Sequence, residues 1–173
     1  MNRAIIQVAG GTSSTCPVYS DGGPADSGCV PTVTTHGQAL AVLLSNRAAL
    51  TCPALQTPGS RDYANFDLLT LEAFTETGTL ATGTYNIVTS ENPASGALAG
   101  FQASTSTCTE SVNLPNATAG TVTLMEVSST SVAGTYSVTF GTQGTFTGSF
   151  DVPICSLPDG IAPSNAGPAV CTQ

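Results

Sequence analysis

Residues 119–155 read AGTVTLMEVSSTSVAGTYSVTFGTQGTFTGSFDVPIC and contain three segments in which large apolar residues alternate with polar ones. In the second segment, Tyr136, Val138 and Phe140 alternate with serine and threonine. Successive side chains of a β-strand point to opposite faces, so a period of two places the apolar groups on one face. The stretch therefore predicts three antiparallel strands with one buried face and one solvated face.

The solvated face of these three predicted strands is rich in hydroxyl side chains. The residues concerned are Thr121, Thr123, Thr135, Ser137, Thr139, Thr145, Thr147 and Ser149. Two interpretations are open. The strand repeat can set a regular hydroxyl spacing of the kind that ice-binding proteins use. Alternatively, threonine is present because it is both β-branched and polar, and therefore suits an exposed strand.

Six further segments have β-forming composition, and turn residues separate them. They are residues 4–8, 32–36, 39–45, 66–74, 83–89 and 98–106. Together with residues 119–155 they predict an all-β fold, an antiparallel β-sandwich or flattened barrel of about eight to nine strands. Ser45 or Asn46 is a suitable helix N-cap, which predicts one short helix near residues 46–52.

Segment 66–74 is apolar on both faces, which predicts a central strand. A short motif also occurs twice, as Gly83-Thr84-Tyr85 and as Gly134-Thr135-Tyr136. Two copies are too few for a repeat architecture, so the motif indicates two strands that begin alike.

The chain of 173 residues is predicted to have three parts. Residues 1–30 form an N-terminal strand and a loop rich in glycine and aspartate, and residues 31–155 form the β-sandwich domain. Residues 156–173 form a tail rich in proline and glycine that Cys171 holds in place. The longest apolar run, residues 39–44, is too short to cross a bilayer. Residues 1–9 lack the pattern of a signal peptide, so we expect an export leader to be absent from this sequence.

Composition limits the classes of partner. Charged residues make up only 8% of the chain, which has no lysine, and the formal net charge is −8. A negative protein repels the phosphate backbone, so nucleic-acid binding is not expected.

The chain has an even number of cysteines at spacings that do not suit a zinc site. They are Cys16, Cys29, Cys52, Cys108, Cys155 and Cys171. Three disulfides and an oxidising compartment are the favoured interpretation. The preferred pair is Cys108–Cys155, which would tie the segment before the three predicted strands to the end of the last one.

Catalytic chemistry is poorly supported, and we expect neither an enzyme nor a cofactor. His36 is the only histidine, and no G-x-S-x-G motif is present. Asp62, Asp67, Glu72 and Glu126 are available as paired carboxylates. Asp67 and Glu72, however, differ in strand parity and should face opposite sides of the sheet. The single histidine also argues against a zinc or copper site, so no metal is expected.

Two other functions remain open. The apolar segment Ala4, Ile5, Ile6, Gln7 and Val8 has no local partner in the sequence and could add to the sheet edge of a second copy. Such head-to-tail contacts build filaments. The alternative is that the segment pairs within its own domain. A barrel that carries a small apolar ligand is the third function, and its cavity would be lined by Tyr85, Phe101, Tyr136 and Phe140.

The chain also resembles a known family in its order of motifs. The matching segments are ALAVLLSNRAALTCPALQ at 39–56, LLTLEAF at 68–74, GTYNI at 83–87, STSTC at 104–108 and most of residues 120–155. They are similar to uncharacterised, secreted lipoprotein-like β proteins of myxobacteria and related bacteria. The resemblance implies export and residence at the cell surface, with Cys52, Cys108 and Cys155 as recurring cysteines. It implies no catalytic residues. The chain differs in its additional cysteines and in showing no lipobox.

We therefore expect a non-catalytic, exported protein with a structural or binding role, located outside the cell or at its outer surface. Its expected partner is another copy of itself or another component of the cell surface.

Overall fold

A computed structural model describes residues 2–8, 12–13, 34–35, 38–46, 64–89 and 94–156, with side chains for residues 38–46, 64–89 and 94–155. The strands are β1 (Asn2–Val8), β2 (Thr12–Ser13), β3 (Thr34–Thr35), β4 (Ala39–Ser45), β5 (Asp67–Thr75), β6 (Gly83–Asn86), β7 (Ser95–Ser104), β8 (Glu110–Leu114), β9 (Ala119–Val127), β10 (Ser131–Thr139) and β11 (Thr145–Ser156). One 3-10 turn, Gly141–Gln143, is the only helical element in the described residues. The predicted all-β class is confirmed.

Two antiparallel four-stranded sheets form the fold. The first sheet has the strand order β6-β9-β10-β11, and the second has the order β4-β5-β7-β8. Strand β1 lies between β11 and β4 and joins the two sheets into one order of nine strands. Strands β2 and β3 form a separate pair. The described part of the chain thus has eleven strands against the eight to nine predicted; the predicted segment 32–36 contains β3, outside the order of nine, and β8 is an additional strand.

The hydrophobic core lies between the two sheets. The first sheet contributes Val122, Val138 and Phe150, and the second contributes Val42 and Leu71, all of them buried. Burial of one such side chain stabilises the folded state by about 1.5–3 kcal/mol relative to its exposure. The core side chains of β9, β10 and β11 are the alternate apolar residues of 119–155, so the predicted buried face is confirmed.

Strand β5 is a central strand, as predicted, because β4 and β7 pair with its two sides. Leu69 and Leu71 point into the core and are buried. Leu68 and Phe74 lie on the opposite, outer face and are half-buried. The second sheet therefore has apolar side chains on both of its faces.

Strand β1 supplies the one parallel strand pair of the nine-stranded order. It runs antiparallel to β4 over its whole length, from Asn2 to Val8. Its residues 5–7 also run parallel to residues 154–156 of β11. Two parallel strands cannot be joined by a hairpin, and here they are the first and the last of the described strands. The expectation of a purely antiparallel sheet therefore fails at this pair.

A second link joins the sheets on the side away from β1. Ile87, which follows β6, forms a parallel bridge with Ala97 of β7. At this bridge the N–H of Val88 donates a hydrogen bond of 3.0 Å to the carbonyl oxygen of Ala97. The N–H of Ala117 donates to the carbonyl oxygen of Ala99 in β7 at 2.8 Å. Backbone hydrogen bonds therefore connect the two sheets at two separate places.

Two of the six cysteines lie in the part of the chain with described side chains. Cys108 occupies the turn between β7 and β8 with a φ of 57°, and Cys155 is buried near the end of β11. Both are disulfide-bonded. Cys16, Cys29, Cys52 and Cys171 lie outside the described residues. The three predicted disulfides and the preferred pair Cys108–Cys155 therefore stay predictions.

Other sequence predictions also fall beyond the described residues. The predicted helix near 46–52 is described only at Asn46, where the backbone forms a bend. The tail is described only at Ser156, and most of the loop within residues 1–30 lies outside the described part. The three predicted parts of the chain stay predictions.

Candidate functional site: an uncharged hydroxyl face

The outer face of the β6-β9-β10-β11 sheet carries a group of serine and threonine side chains that we call the hydroxyl face. Its members are Thr84, Thr121, Thr123, Thr135, Ser137, Thr139, Thr145, Thr147 and Ser149. All of them are exposed or half-buried, whereas their neighbours along β10 are buried in the core. The predicted solvated face is thus present, and strand β6 extends it by one threonine.

Strand register arranges the hydroxyl face in rows that run across the sheet. The first row consists of Thr84, Thr123, Thr135 and Ser149. The second row consists of Asn86, Thr121, Ser137 and Thr147. The third row consists of Thr139 and Thr145. The register is continuous through all three rows, so the side chains form a regular two-dimensional grid.

The repeated motif explains why β6 joins this grid in register. Strands β6 and β10 lie on opposite sides of β9, and both run antiparallel to it. Tyr85 and Tyr136 are therefore both opposite Val122 in the core layer. Thr84 and Thr135, one residue earlier, are both opposite Thr123 on the hydroxyl face. The sequence prediction omitted Thr84, although the repeated Gly-Thr-Tyr motif was a signal for it.

Two cross-strand hydrogen bonds fix side chains within the grid. The hydroxyl oxygens of Thr84 and Thr123 are 3.0 Å apart. Those of Thr139 and Thr145 are 2.8 Å apart. Threonine is also stiff at χ1 because its Cβ is branched. The positions of these hydroxyl groups are therefore restricted before any ligand binds.

Charge is confined to one border of the hydroxyl face. Ala133 lies opposite Glu126 on one side and Asp151 on the other. The register shifts between Ala133 and Gly134, which is the irregularity in the pairing of β9 with β10. Glu126, Ala133 and Asp151 form a row that we call the border row, and the irregularity separates it from the grid. The three hydroxyl rows themselves contain no charged side chain.

The outer face of the second sheet has a different character because it holds a carboxyl group among apolar side chains. Glu72 of β5 lies opposite Ala41 of β4 and Leu98 of β7. Burial disfavours its charged form and raises the pKa of the Glu72 carboxyl above its usual value. Asp67 has the parity of the core residues Leu69 and Leu71, so Asp67 and Glu72 are on opposite faces, as predicted.

The raised pKa of Glu72 predicts a pH-dependent stability. Between the pKa of the unfolded chain and the higher pKa of the folded chain, the folded state binds more protons. The free energy of unfolding therefore falls as the pH rises through this window. We expect Glu72→Gln to be more stable than the wild type above the window and equally stable well below it. Urea unfolding at a series of pH values measures the difference.

Glu126→Gln provides the control, because it removes one negative charge from an exposed position of the other sheet. If Glu126→Gln showed the same gain above the window as Glu72→Gln, the gain would come from net charge and not from the burial of Glu72.

The remaining carboxylates named from the sequence do not assemble with Glu72. The side-chain amide of Asn46 donates to Oδ2 of Asp67 at 3.1 Å, and Asn46 Oδ1 accepts from the Asp67 N–H at 3.1 Å. This exchange ties the end of β4 to the start of β5. Asp62 and His36 lie outside the described residues. Among those described, no three His, Cys, Asp or Glu side chains form a group that could hold a metal ion.

The four aromatic residues named for an apolar ligand belong to the core. Tyr136 and Phe140 are buried, and Tyr85 and Phe101 pack against the same cluster. The ring centroid of Phe146 is 5.1 Å from that of Phe101 and 5.5 Å from that of Phe140. Rings at these separations are in direct contact. The aromatic residues thus fill space between the sheets.

The segment named for strand exchange lies within β1. The backbones of Ala4, Ile5, Ile6, Gln7 and Val8 pair with β4 of the same chain. The structure therefore has the intramolecular pairing that the sequence left as one of two alternatives. The described part of the chain contains no helix with the length and apolar composition needed to cross a membrane.

The fold and the hydroxyl face together define an all-β protein of two sheets with an uncharged, hydroxyl-bearing outer surface. Comparisons with protein-family models, with curated proteins and with solved structures found no match to this chain.

Proposed function

We propose that this chain is a non-catalytic, exported protein with a structural or binding role at the cell surface. The hydroxyl face carries the proposal, because it is a regular and solvent-accessible surface made of hydrogen-bonding groups. Each hydroxyl group both donates and accepts hydrogen bonds. Such a surface suits contact with a neutral, hydrogen-bonding partner.

The surroundings of the hydroxyl face favour binding over catalysis. A serine or threonine hydroxyl is a weak nucleophile unless a base activates it. The described residues contain no histidine or lysine. Glu126 and Asp151 lie in the border row, beyond the irregularity in the sheet. The hydroxyl groups thus have hydrogen-bonding partners but no general base within the grid.

The cysteines support the proposed location. Cys108 and Cys155 are disulfide-bonded, and no cysteine in the described part of the chain is free. Disulfides persist in oxidising compartments and are rare in the cytosol. The resemblance to secreted lipoprotein-like proteins agrees with export, and the lack of charge on the hydroxyl face agrees with a neutral surface partner.

The location is tested with an antibody against the folded protein, applied to intact and to lysed cells of the source organism. Amine-directed labels are unsuitable because the chain has no lysine. We expect equal antibody binding to intact and lysed cells. Binding to lysed cells alone would place the protein inside the cell and overturn the proposal.

The role of the hydroxyl face is tested with two matched variants and isolated cell envelopes. Ser137→Tyr places a bulky ring in the middle row of the grid, and Ser111→Tyr places it on exposed strand β8 of the other sheet. Tyrosine suits exposed strands, so both variants should fold. We expect co-sedimentation with envelopes to fall for Ser137→Tyr only. Equal binding by both variants would exclude the hydroxyl face as the binding surface.

A second candidate function, strand exchange, is favoured by the position of β1. This strand pairs with β11 on one side and with β4 on the other, and so joins the two four-stranded sheets. Thirty residues separate Val8 from Ala39 at the start of β4. Pairing within one chain requires closure of this long connection, whereas pairing between two chains does not. The same strand pairing is therefore possible in either arrangement. Open-ended exchange would give a filament.

Strand exchange is tested by removing residues 1–8 and adding a synthetic peptide with the sequence of residues 2–8. If exchange occurs, light scattering of the full chain shows oligomers that grow with concentration, and the peptide dissociates them. If the full chain stays a monomer at every concentration while the peptide restores the fold of the shortened chain, β1 acts within its own chain and the filament is excluded.

A further inference from the structure

The regularity of the hydroxyl face in two directions constrains its ligand. Neighbouring strands are about 4.8 Å apart, and alternate residues of one strand are about 7 Å apart. The grid spans four strands in its first two rows and three rows along β10. It therefore measures about 14 Å in each direction, or about 200 Å². Stable protein–protein interfaces bury about 800 Å² on each partner, so the grid alone is too small for one.

The chemistry of the grid also excludes common ligand classes. Its three rows carry no charge, so they offer nothing specific to a phosphate, a carboxylate or a cation. The two tyrosines of the repeated motif face the core layer, and no aromatic ring is available on the grid to stack on a sugar. What remains is a repeat of hydroxyl and methyl groups in register across the strands, which suits a ligand that is itself periodic, neutral and hydrogen-bonding.

We propose that the hydroxyl face binds ice. Resting on the proposed binding role, this names the ligand as a hydrogen-bonded lattice of water. Seven of the nine residues are threonine, whose hydroxyl can bond to lattice water while the methyl group fills the space between water molecules. The bonds between Thr84 and Thr123 and between Thr139 and Thr145 hold side chains in one arrangement. Such preorganisation reduces the entropy lost on binding.

The border of the grid fits this proposal. The charged residues Glu126 and Asp151 lie in the row beyond the irregularity at Ala133 and Gly134. Strongly hydrated carboxylates would disturb an ordered water layer, and the irregularity separates them from the three uncharged rows. Met125, beside the irregularity, is 67% exposed. An apolar side chain thus takes the place of a hydroxyl group where the regular strand pairing breaks.

The test is partition of the purified full chain into slowly growing ice, with the concentration in ice compared with that in the remaining liquid. Wild type, Ser137→Tyr and Ser111→Tyr are measured together, with circular dichroism to confirm that each is folded. Substitution at the centre of a contact surface has the largest effect on binding. We expect enrichment of the wild type and Ser111→Tyr in ice, and about tenfold lower enrichment of Ser137→Tyr.

Three outcomes are informative. Exclusion of the wild type from ice overturns ice binding, and equal enrichment of the two variants overturns the hydroxyl face as its site. If the wild type is excluded from ice but Ser137→Tyr alone loses its binding to cell envelopes, the surface-binding function stands and its ligand is not ice. Recrystallisation of ice in the presence of each variant provides an independent readout.

Discussion

Gly120→Ala is expected to lower the free energy of unfolding by about 3 kcal/mol or more, from backbone strain and overpacking together. Gly120 has a φ of 125°, which L-residues rarely adopt. A Cβ atom there would lie 2.0 Å from the carbonyl oxygen of Ser137 and 2.8 Å from Cα of Val138. Both atoms belong to the backbone of the paired strand β10, so the strands would have to separate. Urea unfolding followed by circular dichroism measures the loss.

Gly144→Ala isolates the contribution of the backbone angle. Gly144 has a φ of 107°, and a Cβ atom there would meet nothing within 4 Å. We expect this variant to lose only about 1–2 kcal/mol, the cost of a left-handed conformation for an L-residue. A loss at Gly120 no larger than that at Gly144 would mean that β9 and β10 separate without cost, contrary to their close pairing.

The parts of the fold that the sequence predicts are those with a clear alternation of side chains. Strands β9, β10 and β11 have one apolar and one hydroxyl face, and the same alternation is buried and exposed in the structure. The central position of β5 follows from its apolar residues on both faces. In each case the burial of a strand depends on its own residues, so the local sequence is sufficient to predict which of its faces are buried.

Strand β8 shows where this signal fails. It has the sequence ESVNL, and four of its five residues are exposed, with only Leu114 half-buried. A strand at the edge of a sheet needs no buried face, so no period of two is required of it. The sequence of β8 therefore contains no pattern that predicts a strand. It is a strand because it pairs with residues Phe101 to Ser104 of the neighbouring strand β7, and its own side-chain pattern does not show this.

Pairings between distant segments are the second limit. The apolar character of residues 4–8 predicts a strand, but nothing in it specifies both β4 and the end of β11 as partners. The hydroxyl face illustrates the same limit at the candidate site. Eight of its members lie within 119–155, whereas Thr84 joins through the pairing of β6 with β9. That pairing spans distant parts of the sequence, and only the repeated motif indicates its register.

Phe150→Ala is expected to lower the free energy of unfolding by about 4 kcal/mol, within the usual range for a buried aromatic residue. Phe150 is 2% exposed and is the largest of the fully buried side chains. It lies opposite Gly134, where a Cβ atom would come within 2.7 Å of its ring. Because glycine has no side chain to move into the space, the cavity stays open and the loss should approach the upper part of that range. Met125→Ala, at an exposed position of the same sheet, should change stability by less than about 0.5 kcal/mol. Denaturant unfolding measures the free energy of unfolding of both variants. A loss of less than about 2 kcal/mol for Phe150→Ala would show that the two sheets close over the vacated space.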